Sequence, residues 1–317
     1  MALFLKESDV RYLLSMEDAI QAVEEAMRDQ ARGLAANEPR RRVHTSGTSL
    51  HMMPAAEPEA GVMGFKTYAV AGGKATVYVF IFSTETSELL AIMEGSRLGQ
   101  MRTGAASGVA TKYMAREDAH RVGIVGTGYQ ARTQLAAVCA VRTIRQVKAY
   151  GRDRERREAF CAETGEYLGV EAVPAASAEE AVADADIIIT STTAREPVLF
   201  GDWLRPGMHL NIIGSNSLLK REIDDGVIRK SDIVVVDSRE QTRIESGDLL
   251  SPLEKGIIHW EQLRELSDVV AGLTPGRMAP SDITMFKSHG IALWDMAAAA
   301  RVLALAKERG IGEALPM

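Results

Sequence analysis

Apolar positions in "SMEDAIQAVEEAMRDQARG" (15–33) recur at three- and four-residue intervals between a capping serine and a closing glycine, the pattern of one helical face. The whole of residues 1–33 reads as helical. Near residue 60 the period changes. "VMGFKTYAV", "TVYVFIFS" and "ELLAIME" are short and rich in β-branched and aromatic residues, with "TETS" as a turn, so 60–93 reads as strands. Small residues then dominate a helix expected from Leu98 to Met114. From His120 onward strand and helix patterns alternate. Strands are expected at 121–125, 145–150, 170–173, 186–190, 208–213 and 232–236, and in "DITMFKSHG" (282–290). Several are continuous apolar runs, as in strands buried on both faces of a parallel sheet. A last helix, 291–308, stands outside the alternation. The fold class expected is α/β: a Rossmann-type doubly wound parallel-sheet domain, 118–289, inserted in an α+β domain made of 1–117 and 290–317.

Composition narrows the partners. The 317 residues are 46% hydrophobic and 25% charged, as in ordinary soluble chains. A net charge of −6 gives no general footing on nucleic acid or anionic membrane. No apolar run approaches the roughly 18–20 residues that span a bilayer. "MALFLKESDV" lacks the basic front and long apolar stretch of a secretory leader, so a cytoplasmic location is expected. Cys139 and Cys161, each in a helical pattern, read as free buried thiols. His44, His51, His120, His209 and His259 show no ligand spacing, and no metal is expected. "LHMMP" (50–54) and Met93, Met101 and Met114 read as core fillers.

The chemistry begins at "HRVGIVGTGYQARTQ" (120–134). Gly126, Thr127, Gly128, Tyr129, Gln130 and Ala131 fit G-x-G-x-x-A, between a buried-strand pattern and a helix. The glycines permit a tight turn and let backbone N–H groups approach a pyrophosphate at a helix N-terminus. An NAD site usually carries a carboxylate some 20 residues further on, for the ribose hydroxyls. Here the second strand ends at Tyr150, followed by Gly151 and Arg152. A small neutral residue and an arginine suit a 2′-phosphate, so NADP(H) is favoured over NAD(H), with Arg154 and Arg156 as further donors. Against that stands a reading of "RDRERR" as a solvated helix start, with Asp153 as its cap or as a displaced ribose ligand.

Seven segments together resemble the ornithine cyclodeaminase/mu-crystallin family, nearly end to end: "RRVH" (41–44), "GFKTYAV" (64–70), "MRTGAASGVATKYMA" (101–115), "GIVGTGYQARTQL" (123–135), "IIGSNSLLKREID" (212–224), "VVVDSREQ" (234–241) and "ITMFKSHGIALWDMAAAA" (283–300). The resemblance implies an NAD(P)-dependent enzyme of amino or imino acids, a homodimer whose outer domain serves dimerisation and substrate binding. It implies that Arg42 and Lys66 bind the substrate carboxylate, Lys66 also aiding proton transfer. It places Thr76, Arg102, Tyr129, Gln130, Thr192, Ile213, Gly214, Ser215 and Lys220 at the cofactor, Ser288 near the nicotinamide and His289 at the substrate pocket. Local chemistry agrees for Lys66, since an ammonium in an apolar strand needs a partner or an exposed face. For Arg42, "PRRRVH" alone is more often a solvated basic loop, and the choice of Arg42 over Arg40 or Arg41 rests on its place before Val43-His44.

The chain also departs from the family. Asn216 stands where cyclodeaminases and related alanine dehydrogenases carry an aspartate, and an amide has no useful pKa for acid–base work. The loop after Lys66, "TYAVAGGKA", is shorter than in cyclodeaminases, with Gly72-Gly73 as a tight turn. His289 replaces a small apolar residue, and its unperturbed pKa of about 6.5 suits proton exchange near neutrality. The catalytic set expected is therefore Lys66, Asn216 and His289. The reaction expected is reduction of a small ketimine to an amino acid, or the reverse dehydrogenation. The alternatives are an ornithine cyclodeaminase-type ammonia lyase and a non-catalytic NADPH and small-ligand binding protein of mu-crystallin type.

Overall fold

The computed structural model describes residues 2–316. They fall into two units, one formed by the residues up to Ala106 with those from Ile291 onward, the other Ser107–Gly290. The first boundary lies inside helix Ser96–Met114 rather than after residue 117. Its last turns are tied into the second unit: Asn211 Nδ2 donates to Thr111 Oγ1 at 3.0 Å and Arg277 Nε to the Met114 carbonyl at 2.7 Å.

The first unit is a sheet covered by helices. Its strands run in the order Glu313–Ala314, Leu3–Leu5, Leu89–Glu94, Lys74–Ser83, Val62–Ala71, Thr48–Glu57 and Ala36–Asn37, with Arg41–His44 also on Thr48–Glu57. All pairs are antiparallel except Leu3–Leu5 with Leu89–Glu94. Gly72 and Gly73, with φ of 56° and 76°, join two ten-residue strands through a two-residue turn, which needs positive φ at both positions. Helices Met16–Ala31 and Ala292–Arg309 pack together over the sheet. Ser15 caps the former by accepting from the Asp18 amide at 3.0 Å.

Two expectations change here, and one strand is added. Residues 3–5 form a strand, not a helix start, because the short apolar run pairs on both edges. Thr48–Glu57 is a strand that His51 and Pro54 disguise in the sequence. Along it, Met53 is buried while Leu50 and Met52 are each 41% exposed, so "LHMMP" is a strand with both sheet faces represented rather than core filling. Met93, Met101 and Met114 are buried.

In the second unit all eight strands are parallel. The order is Glu171–Pro174, Gln146–Tyr150, Arg121–Val125, Ile187–Thr190, His209–Ile212, Thr284–Lys287, Ile233–Val236 and Arg264–Glu265. The first five follow the doubly wound order 3-2-1-4-5. The position beside them goes to the strand formed by Thr284–Lys287, and Arg264–Glu265 adds a short edge that its polar sequence does not announce. Ile187–Thr190, His209–Ile212, Ile233–Val236 and Thr284–Lys287 are buried throughout.

Candidate active site

In the first unit, strand Val62–Ala71 carries Lys66 opposite Met53 and Val79. The ammonium is buried. It donates to Asp295 Oδ1 at 3.0 Å and lies 2.8 Å from Oδ2. Arg102, on helix Ser96–Met114, donates through Nε to the same Oδ1 at 2.9 Å. Its Nη1 is buried and has no hydrogen-bond partner among the described residues. Burial first, then the charge of Arg102, pushes the Lys66 pKa down from 10.5 to about 7, although Asp295 pulls it up; Arg40 also lowers it. Two cations, Lys66 and Arg102, thus share one oxygen of a buried carboxylate. Tyr68 stacks on His51 at 4.3 Å, and the Lys66 ammonium lies 5.8 Å from the Tyr68 ring.

The arginines of the basic run differ in burial. Arg40 is the buried one of the basic run, with Nε 3.3 Å from Met53 Sδ, whereas Arg42 is half-buried in strand Arg41–His44. Thr76 is exposed in strand Lys74–Ser83, opposite Ala69. Nothing local in the sequence signals Asp295, which lies in an alanine-rich helix.

In the second unit, strand Arg121–Val125 runs into Gly126, Thr127 and Gly128, and helix Tyr129–Val141 begins with Gly128 as N-cap and no side-chain cap. Gly126 has φ +105°, and a Cβ there would lie 2.3 Å from the Ser191 carbonyl. A Cβ on Gly128 would meet nothing within 4 Å, which leaves open space at an uncapped helix N-terminus. That is the cradle a pyrophosphate requires. Tyr129 is exposed, Gln130 half-buried and Ala131 fully buried. At the end of strand Gln146–Tyr150, a Cβ on Gly151 would strike Thr127 Oγ1 at 2.5 Å. Arg152 is exposed, and Asp153 caps helix Arg154–Leu168 by accepting from the Arg156 amide at 3.0 Å.

Two buried networks support the loops at the carboxyl ends of the strands. Glu222 accepts from Thr190 Oγ1, Thr192 N and Oγ1, and Gly214 N at 2.6–2.8 Å. Burial, above all, raises its pKa. Asp248 accepts from the Glu222 amide at 2.6 Å and pairs with Lys287 at 2.8 Å; Lys287 also donates to the Ser215 carbonyl at 2.8 Å. Thr192, Ile213, Gly214 and Ser215 are thereby fixed together, with Asn216 exposed and Lys220 half-buried beyond them.

The second network centres on Asp237. Its Oδ2 accepts from the backbone N–H of His289 at 2.6 Å and of Gly290 at 2.7 Å, and from Ser288 Oγ at 3.2 Å. Its Oδ1 lies 3.1 Å from His289 Nδ1. Burial would raise the Asp237 pKa, but His289 and the backbone donors bring it below the usual value. Such a carboxylate fixes the ring with Nδ1 toward it and Nε2 as the other exchanging nitrogen. Asp237 lies within "VVVDSREQ", yet its pairing with a histidine 52 positions away is invisible in the sequence. Among the described residues no group of histidine, cysteine and carboxylate side chains could hold a metal ion, and no helix is long and apolar enough to cross a membrane.

Comparison with known proteins gives a consistent set. The profile of the ornithine cyclodeaminase/mu-crystallin family matches residues 1–310. A Δ1-pyrroline-2-carboxylate reductase of Bacillus cereus is 38% identical over 270 residues, 83% of each chain. The solved Δ1-pyrroline-2-carboxylate reductase of Thermococcus litoralis, in complex with NADH and L-proline, superposes with a TM-score of 0.95 at 37% identity, covering 99% of this chain and 100% of that one. An archaeal alanine dehydrogenase dimer with bound NAD gives 0.94 at 33% identity, over 100% and 99%.

Proposed function

Because the chain belongs to the ornithine cyclodeaminase/mu-crystallin family, we propose that it is a nicotinamide-dependent oxidoreductase that reduces a small, preferably cyclic, ketimine carboxylate to the amino acid. Δ1-Pyrroline-2-carboxylate is the first candidate substrate, on the names of its relatives. The observation that carries this reading is the buried carboxylate shared by two cations in the first unit: Lys66 and Arg102 both donate to Asp295 Oδ1, and Arg102 Nη1 stays buried with no hydrogen-bond partner among the described residues. Buried charge of one sign is costly unless an anion arrives, and an α-carboxylate supplies it.

The cofactor would rest on residues 126–130 at the helix N-terminus and against Thr192 and Ile213 to Ser215, and when bound in reduced form it supplies a hydride to the imine carbon. Arg102, which the resemblance assigns to the cofactor, is given the substrate carboxylate in this reading because its buried Nη1 is unfilled close to Lys66; Arg42 is the further arginine the family pattern favours, and Arg40 is the buried one. Lys66, with a pKa near 7, is part-protonated at neutrality and delivers a proton to the imine nitrogen. His289, oriented by Asp237, is the second candidate donor. In the reverse direction the same groups accept the proton. Asn216 can orient a substrate but cannot shuttle a proton, which supports simple reduction over cyclodeamination.

NADP(H) is the preferred cofactor in this reading. It is supported by Gly151, whose missing side chain leaves no carboxylate beside the ribose, and by the exposed guanidinium of Arg152. A homodimer is proposed on the likeness to the alanine dehydrogenase dimer. Following NADPH and NADH absorbance with Δ1-pyrroline-2-carboxylate tests the reading. Rapid NADPH oxidation is the expected result. No consumption of either cofactor, with ammonia released from L-ornithine, would replace it by cyclodeamination.

A further inference from the structure

Asp295 carries no role in the reaction described so far, yet its placement is specific. It lies in the first turn of helix Ala292–Arg309, fully buried, next to the fully buried Trp294. That helix has no side-chain cap of its own; instead Asn37 Oδ1 accepts from the Leu293 amide at 3.0 Å, which fixes the end that presents Asp295. The carboxylate draws one donor from a strand and one from a different helix. Lys66 Nζ is 3.0 Å from Oδ1 and 2.8 Å from Oδ2, and Arg102 Nε is 2.9 Å from Oδ1. The Arg102 guanidinium also lies 5.9 Å from the Trp294 ring.

Arg102 is engaged through Nε, which leaves Nη1 buried with no partner among the described residues. An arginine whose fork is fully satisfied would be a strut; one anchored at Nε with a buried, unfilled Nη1 is prepared for an incoming anion. Lys66 shares the same anchoring oxygen, so the spacing between its ammonium and that Nη1 is set by Asp295. The charged groups that bear on Lys66 are Arg102 from helix Ser96–Met114, Arg40 from the segment before strand Arg41–His44, and Asp295. Asp295 is the carboxylate of this set.

We propose that Asp295 is a positioning residue of the reaction: it orients Arg102 toward the substrate carboxylate and keeps Lys66 beside it as a proton-carrying ammonium. The inference rests on the reading that this cluster meets the ketimine. Without Asp295 the opposite charge in contact with Lys66 is gone while burial and the charge of Arg102 remain, and the lysine gives up its proton at lower pH. The aspartate thus keeps a proton available at neutrality that burial would otherwise expel.

The test is the titration of Lys66 itself, in the full-length protein without substrate. Its rate of labelling by an amine-reactive reagent is measured across pH by mass spectrometry, beside steady-state kinetics with Δ1-pyrroline-2-carboxylate. Asp295→Asn should move the labelling midpoint down by about one pH unit or more, the usual effect of losing an opposite charge at contact. The KM for the imine should rise about tenfold and that for the cofactor stay unchanged, as when anchoring of one ligand is lost. Arg102→Gln keeps the lysine–aspartate pair, guards against an Asp295 variant that fails to fold, and should move the midpoint up. A midpoint that stays put in both variants overturns the proposal. So does an equal rise in both KM values for Asp295→Asn, which would mark general loosening. Wild-type protein that reduces no imine while the midpoints still shift would discard the reaction and leave the control of Lys66 by Asp295 standing.

Discussion

Lys66 and Lys287 are both buried lysines, each 2.8 Å from an aspartate oxygen, but their surroundings have opposite signs. Around Lys66 stand two arginines and one carboxylate. Near Lys287 stand Asp248 and Glu222, and its ammonium also donates to the Ser215 carbonyl. The first lysine shares its carboxylate with a second cation, Arg102, whereas the second lysine has two carboxylates near it. Burial alone does not distinguish a reacting lysine from a structural one; the sign of the charge left over does.

The comparison breaks most sharply under substitution of the lysines. Lys66→Met should lower turnover about 10³-fold, the range of a lost general acid, with cofactor binding unchanged when followed by nicotinamide fluorescence. Unchanged turnover would place Lys66 with the structural lysines. Lys287→Met should instead destabilise the fold by about 3–5 kcal/mol, because Asp248 is left buried without its cation. Thermal melting would show it, and the protein that remains folded should turn over within a few-fold of wild type. A smaller change is expected at the cofactor: Arg152→Gln should raise the KM for NADPH about tenfold and leave that for NADH alone, the loss of a single charge-assisted contact. An equal effect on both would remove Arg152 from the 2′-phosphate.

The last prediction concerns protons. Lys66 titrates near 10.5 in the unfolded chain and about 7 in the folded one, so the folded protein binds fewer protons between those values. Stability from this group therefore rises with pH across that window and is lost as pH falls toward 7. A carboxylate ligand adds the missing anion and draws the proton back. Binding of L-proline at pH 8 should take up a fraction of a proton, seen calorimetrically as a dependence on buffer ionisation heat. No uptake would mean that the carboxylate does not reach Lys66.

Much of the second unit was legible in the sequence, because parallel strands buried on both faces are continuous apolar runs and the glycine turn is local. The strand Thr48–Glu57 was not, since Pro54 and His51 interrupt its alternation, and its identity comes from pairing along ten residues of Val62–Ala71. Lys66 could be singled out as an ammonium in an apolar strand. Its partner could not: Asp295 is 229 positions away. Asp237, Glu222 and Asp248 escaped for the same reason, since a carboxylate's role is set by what folding brings to it. Only folding separates the buried Arg40, just before the short strand, from Arg41 and Arg42 within it, and no local pattern carries that.

The topology also has a consequence for biosynthesis. Thr284–Lys287 inserts between two strands made about 50 and 75 residues earlier, and Ala292–Arg309 packs on the first unit's helix and sheet. Both units are thus completed by segments synthesised after the strands and helices they pack on. A nascent chain halted before residue 284 presents strand edges His209–Ile212 and Ile233–Val236 unpaired, with an apolar sheet face open in the first unit. Neither unit can complete its fold until these segments have been made, and truncation before residue 284 would disable both at once.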